Sequence, residues 1–464
     1  MKKLYCKLIV AMATVLLGGC LDNGSTYAPP ANFAATAGDG RVTLTWTPNW
    51  AIDYWVFSAT DPSITAFNWI DLPNAHAYTI VPTPLYLCGL FMGDQYYFAA
   101  NGRTSGGPGG PSSPTVSATP YDASTTSWMT GPTVSGANIY GVGYTSLFTC
   151  WNSPTTSGAG IFAMVGAGGA IYTSSDGKSW AHQAAPAGFT SDLYAVTGYT
   201  AFTNQYVPWP GLPVPPPQLW VTVGAGGSSL YSTDGVNWQI GGSNASTMPC
   251  INCTTNQDLH DITQAYGIFV AVGNAGTIMS TYDGLNWIMA ANQPSSYNLW
   301  GIARGSVYVA VGEHGTILTS PDGSNWMAPS TPVTSNNLRK VAISPMGSLT
   351  GIVVAVGDQG TIVTSLNNGL NWSPVITLPG APNLISVTVE NKVFANVSAD
   401  PLLEFAAPSS EFVAMDSTGK VYTSVNGIEW SGPSQTPISN PNAMFASGFG
   451  YVAAGNGGTT AYAF

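Results

Sequence analysis

The chain has 464 residues, only 7% of them charged, with 11 Lys or Arg against 22 Asp or Glu and a formal net charge of −11. Such an acidic chain repels a phosphate backbone, which excludes nucleic acid as a partner. Its 54 glycines, abundant Ser, Thr, Asn and aromatics, and lack of Ala/Leu/Glu/Lys stretches at helical spacing indicate an all-β, turn-rich exported protein.

The first element along the chain is a leader, expected over residues 1–19. Lys2, Lys3 and Lys7 form a positive n-region, and Leu8 to Leu17 form an apolar run too short to span a bilayer. Leu17-Gly18-Gly19-Cys20 resembles the lipobox of bacterial lipoproteins. That resemblance implies cleavage before Cys20, lipidation of Cys20 with palmitate among the acyl groups, and anchoring to a membrane through this lipid. Residues 20–29 then serve as a tether. Leu21 in place of Asp implies outer-membrane sorting, with the chain exposed in the periplasm or at the cell surface.

Residues 30–121 contain alternating strand-like runs at 41–48, 53–60, 77–82, 95–102 and 114–120, the spacing of a β-sandwich. Pro30 and the small-residue strand after it, Trp46 as core tryptophan, and Leu90 to Tyr96 at tyrosine-corner spacing resemble a fibronectin type III domain. The resemblance implies a spacer or protein-binding module. Asn101-Gly102-Arg103 is read as ordinary loop chemistry.

Residues 124–464 repeat. VGEHGTILTSPDGSNW, from Val311, returns with variations from Val165, Val223, Val272, Val356 and Ala414. Each unit has an apolar strand, a Gly-containing turn, a second strand, an Asp-Gly or Asn-Gly turn and a Trp. Upstream of each lies another strand, at 138–142, 192–196, 258–262, 298–302, 337–341, 383–387 and 442–446. Four strands per unit and seven units predict a seven-bladed β-propeller. The last unit lacks its Trp strand, and 124–132 supplies a closing strand from the N-terminal side.

The second turns resemble the Asp-box of sialidase-like propellers, and similar repeats occur in propeller-type photosystem II assembly factors. The resemblance implies that Asp176, Asp234, Asp283 and Asp322 are folding devices, with Asn367 and Asn426 in two other units. A sialidase holds its substrate with three arginines, whereas this repeat region has only Arg304 and Arg339, which excludes that activity. A glycoside hydrolase acting on an extracellular polysaccharide needs two carboxylates across the sugar, and Asp261, Glu313 and Asp358 are the candidates. No nucleophile elbow or phosphate loop is present, and no cofactor is expected.

Cys250 and Cys253 lie in a long loop between units and are expected to form a local disulfide, because a redox CxxC opens a helix that is missing here. Cys88 and Cys150 are left without an assignment. The favoured function is non-catalytic: a cell-envelope scaffold holding a protein or a glycan. On one face, the residues after the strand-opening Leu, or its equivalent, are Tyr140, Tyr194, His260, Trp300, Arg339, Ile385 and Met444. His260, Asp261, Trp300, Glu313, His314 and Arg339 form the candidate contact surface there. Trp151 and Trp209 form a second one on loops of the opposite face.

Overall fold

The computed structural model describes residues 27–38, 41–49, 51–78, 81, 83–88, 90, 93–103, 111–121, 127–134, 136–145, 160–200, 218–241, 256–265, 267–329, 332–344, 351–392, 409–447 and 450–464. Among them every regular element is a strand or a single 3₁₀ turn. They fall into two compact units, one ending at Tyr121 and one following it.

The first unit is a sandwich of two antiparallel sheets. One has the order Ala34–Gly38, Arg41–Thr45, Leu85–Cys88; the other runs His76–Tyr78, Asp53–Ala59, Tyr96–Arg103, Val116–Ala118. Alternate side chains point inward, so Val42, Leu44, Val56, Tyr96 and Phe98 make a common core in which Trp46 meets Tyr54 edge-on at 5.8 Å. Leu85–Cys88 is a strand that the sequence reading passed over. Asn101-Gly102-Arg103 is strand, not loop, with the Arg103 guanidinium 3.6 Å from the Trp55 ring centroid.

Among the described residues the second unit contains seven antiparallel sheets, here I to VII. Their first strands are Ile139–Thr145, Leu193–Thr200, Leu259–Ala265, Leu299–Arg304, Leu338–Ile343, Leu384–Lys392 and Pro441–Ala446. Each contacts the first strand of the next sheet, and that of sheet VII contacts that of sheet I, which closes a ring. Second strands such as Tyr308–Gly312 and Val353–Gly357 are buried along their whole length and therefore read as continuous Val/Ala runs.

Sheets I, II, III, V and VI draw all four strands from one stretch of chain, whereas sheet VII takes Met129–Thr130 as its fourth. Met129 pairs with Tyr462 and Thr130 with Ala461. In sheet IV the fourth strand is reduced to one bridge, Thr319 to Met327; Pro329 shortly after has no N–H to extend it.

Candidate functional site

In six of the seven sheets the Asp or Asn that opens the repeat signature is a clasp to the preceding sheet. A side-chain oxygen of Asp192 accepts the Gly168 N–H at 2.8 Å, and Asp258 accepts that of Gly226 at 2.7 Å. Asn298, Asn337 and Asn383 do the same for Ala275, His314 and Gln359, at 2.8 to 3.0 Å. Asn138 of sheet I receives Gly457 of sheet VII. The donors sit in left-handed turns between the second and third strands, with φ from +53° to +65°.

Past the clasp, every first strand carries a bulge. In sheet II Leu193 pairs with Gly224 and Ala195 with Val223, which leaves Tyr194 outside the ladder. The same skip leaves out Tyr140, His260, Trp300, Arg339, Ile385 and, in sheet VII, Asn442. All seven side chains are half-buried. Met444, the expected seventh member, is instead buried core, because the signature of sheet VII starts at Asn440 rather than Asn442.

These side chains touch around the ring. The ring centroids of Tyr140 and Tyr194 are 5.6 Å apart, and Tyr194 stacks on His260 at 5.6 Å and 27°. The Arg339 guanidinium lies 4.1 Å from the Trp300 ring centroid and forks onto Asp358 through two 2.9 Å bonds. His260 Nε2 is 2.7 Å from Asn274 Oδ1, and Asn442 Nδ2 donates to the Ile139 carbonyl at 2.8 Å. The result is a rim of aromatic and polar groups held by its own hydrogen bonds.

Neither a protein-family model nor a curated protein matches the sequence. Among solved structures, "YCF48 bound to D1 peptide" is similar with a TM-score of 0.50 at 16% identity, over 74% of this chain and 96% of that one. YCF48 from Cyanidioschyzon merolae follows with a TM-score of 0.47 at 15% identity, over 72% and 98% of the two chains. The WD40 β-propeller domain of Doa1 gives 0.47 at 10%, over 73% and 96%. The fold is that of a β-propeller.

In the propeller the three candidate catalytic carboxylates are all engaged. Asp261 is only 4% exposed; it forms an ion pair with Lys340 Nζ at 2.7 Å and accepts the Ile302 N–H at 2.8 Å. It ties sheet III to sheets IV and V and does not belong to the rim. Glu313 accepts the Asn298 side-chain amide at 3.0 Å and its backbone N–H at 3.2 Å. Asp358 holds Arg339 and Asn337, and although burial pushes its carboxyl up, the hydrogen bonds from Arg339 and Asn337 and the Arg339 charge together outweigh this and lower it. His314 is exposed in its left-handed turn, with its ring 4.7 Å from that of Tyr297. Cys20, Trp151, Trp209, Cys250 and Cys253 lie outside the described residues. Among the described residues no group of three or more His, Cys, Asp or Glu could hold a metal ion.

On the opposite face the Asp-box turns are built as staples. Asp322 Oδ1 accepts the Ser320 hydroxyl and the N–H groups of Ser324 and Asn325, while Asn325 Nδ2 donates to Oδ2. Burial works to raise the Asp322 and Asp234 carboxyls, but these hydrogen bonds win and hold both at about 2. Trp326 Nε1 donates to the Gly323 carbonyl, which fixes the indole in the core. Two features had no sequence signal that singled them out. One is the clasp role of the Asp or Asn; the other is a buried tie in which the Tyr451 hydroxyl donates to Glu390 and lies 3.3 Å from Glu411.

Proposed function

We propose that this chain is an outer-membrane lipoprotein in which a fibronectin type III-like spacer carries a seven-bladed Asp-box propeller that acts as a non-catalytic binding scaffold. The three-on-four strand order of the first unit supports the spacer reading. The pairing of Met129–Thr130 with the last sheet supports closure by an N-terminal strand. One observation carries the function: the rim offers half-exposed aromatic faces, while Asp261, Glu313 and Asp358 are committed to internal bonds. Binding needs only such a preformed surface, whereas glycoside hydrolysis needs two convergent carboxyl groups. The solved YCF48 with a bound D1 peptide supports a protein, rather than a glycan, as the ligand class.

The test offers the purified chain to insoluble polysaccharides, chromogenic glycosides and envelope extract. The expected result is capture of a protein without product release, with Trp300→Ala weakening the interaction by about 2 kcal/mol or more. Turnover of a glycoside that Glu313→Gln abolishes while sparing its binding would replace this reading with the hydrolase. Labelling with a palmitate analogue tests the anchor, and Cys20→Ala is expected to remove the label.

A further inference from the structure

The rim carries charge and aromatic surface in two unequal halves. On sheets IV and V an aromatic ring, a guanidinium and a carboxylate form one stack: Trp300, then Arg339 at 4.1 Å, then Asp358 at 2.9 Å. The chain supplies all three parts itself. On sheets I to III the arc Tyr140–Tyr194–His260 again presents ring surface, and Asp192 and Asp258 open the strands that carry Tyr194 and His260. Their charges reach the arc: burial raises the Tyr194 phenol first, and the fields of Asp258 and Asp192 raise it further. Each of these carboxylates accepts one backbone N–H, and among the described residues neither forms an ion pair with a Lys or Arg.

We propose that the Tyr140–Tyr194–His260 arc, flanked by Asp192 and Asp258, receives an arginine side chain from a partner protein. A guanidinium spreads its charge over a plane, stacks on aromatic faces and forks onto carboxylates, as Arg339 does two sheets beyond the arc. The net charge of −11 draws a basic segment toward the ring before contact. This inference rests on the protein-binding reading above and names the chemistry of the partner.

Asp192 and Asp258 permit a clean test. Asn occupies their position at 138, 298, 337 and 383 and accepts the equivalent N–H there, so Asp192→Asn with Asp258→Asn removes charge and keeps the clasps. The probe is a fluorescent Gly-Ser-Arg-Gly-Ser peptide, compared at low salt with its citrulline counterpart, which has the same shape without the charge. The full chain is expected to bind the arginine peptide at least tenfold more tightly. The double variant, with an unchanged melting temperature, is expected to lose that preference. Equal binding of the two peptides, a preference that survives in the double variant, or tighter binding of spermidine than of the peptide would each overturn the proposal. If an envelope protein captured by the wild-type chain is held equally by the double variant, the scaffold stands and the arginine receptor falls.

Discussion

At residue scale the Asp-box carboxylates act on stability. The Asp322 carboxyl sits at about 2 in the folded chain against an ordinary 3.8. A lowered folded value means that its contribution is complete above about pH 4 and is lost as the pH falls toward about 2. Asn367 and Asn426 keep the same bonds in sheets V and VI, accepting from Ser365 and Ser424 and from the following N–H groups. Asp234→Asn with Asp322→Asn is therefore expected to shift stability at neutral pH by only about 1 kcal/mol per site. Its melting temperature should fall less steeply than that of the wild type between pH 4 and pH 2, which calorimetry across that range measures. The structural role of these residues was legible because Ser, Asp and Gly at fixed offsets describe a turn by themselves. The engagement of Asp261 was not, since Lys340 lies 79 positions away in sequence.

At the scale of the strand and its turn, glycines with different tasks separate cleanly. Gly357 ends a second strand with an extended backbone, and a Cβ there would stand 1.9 Å from the Asn337 carbonyl oxygen. Gly168 has φ +64° and open space around it, and Ala275 fills the equivalent place in sheet III. Gly357→Ala is expected to cost about 3 kcal/mol and Gly168→Ala about 1 kcal/mol in urea unfolding. Equal costs would show that the close approach at Gly357 relaxes. Six of the seven first strands were legible in register because Leu, or Ile139 in sheet I, marks the start of the ladder. The seventh was not, because Asn440-Pro441-Asn442-Ala443 offers two asparagines two positions apart. A slip of two residues leaves every side chain on its own face, so alternation cannot detect it. The Asn456 N–H bond to the Asn440 carbonyl and the pairing of Pro441 with Gly455 fix the register.

At the scale of the whole molecule, order around the ring was legible from the repeat alone, and closure from the missing last strand. Met129–Thr130 completes sheet VII, Thr460 Oγ1 donates to the Pro132 carbonyl at 2.7 Å, and Trp128 packs on Tyr451 at 6.1 Å. Removal of residues through Thr133 is expected to expose the edge strand Thr460–Ala463 and to drive aggregation, as light scattering would detect. Deletion of 21–120 alone is expected to leave the propeller soluble. Identical behaviour of the two truncations would count against closure by the N-terminal segment.

The bond between Thr460 and Pro132 joins positions 328 residues apart. A ribosome adding about 5–20 residues per second needs roughly 16 to 66 s to make that stretch. Throughout that interval the Met129–Thr130 segment exists without the strand it completes. Each of the first six sheets can form as its residues arrive, yet the circle cannot lock until Thr460 has been made. Synthesis of this chain therefore favours a holding factor that shields the open array until its last sheet has been made.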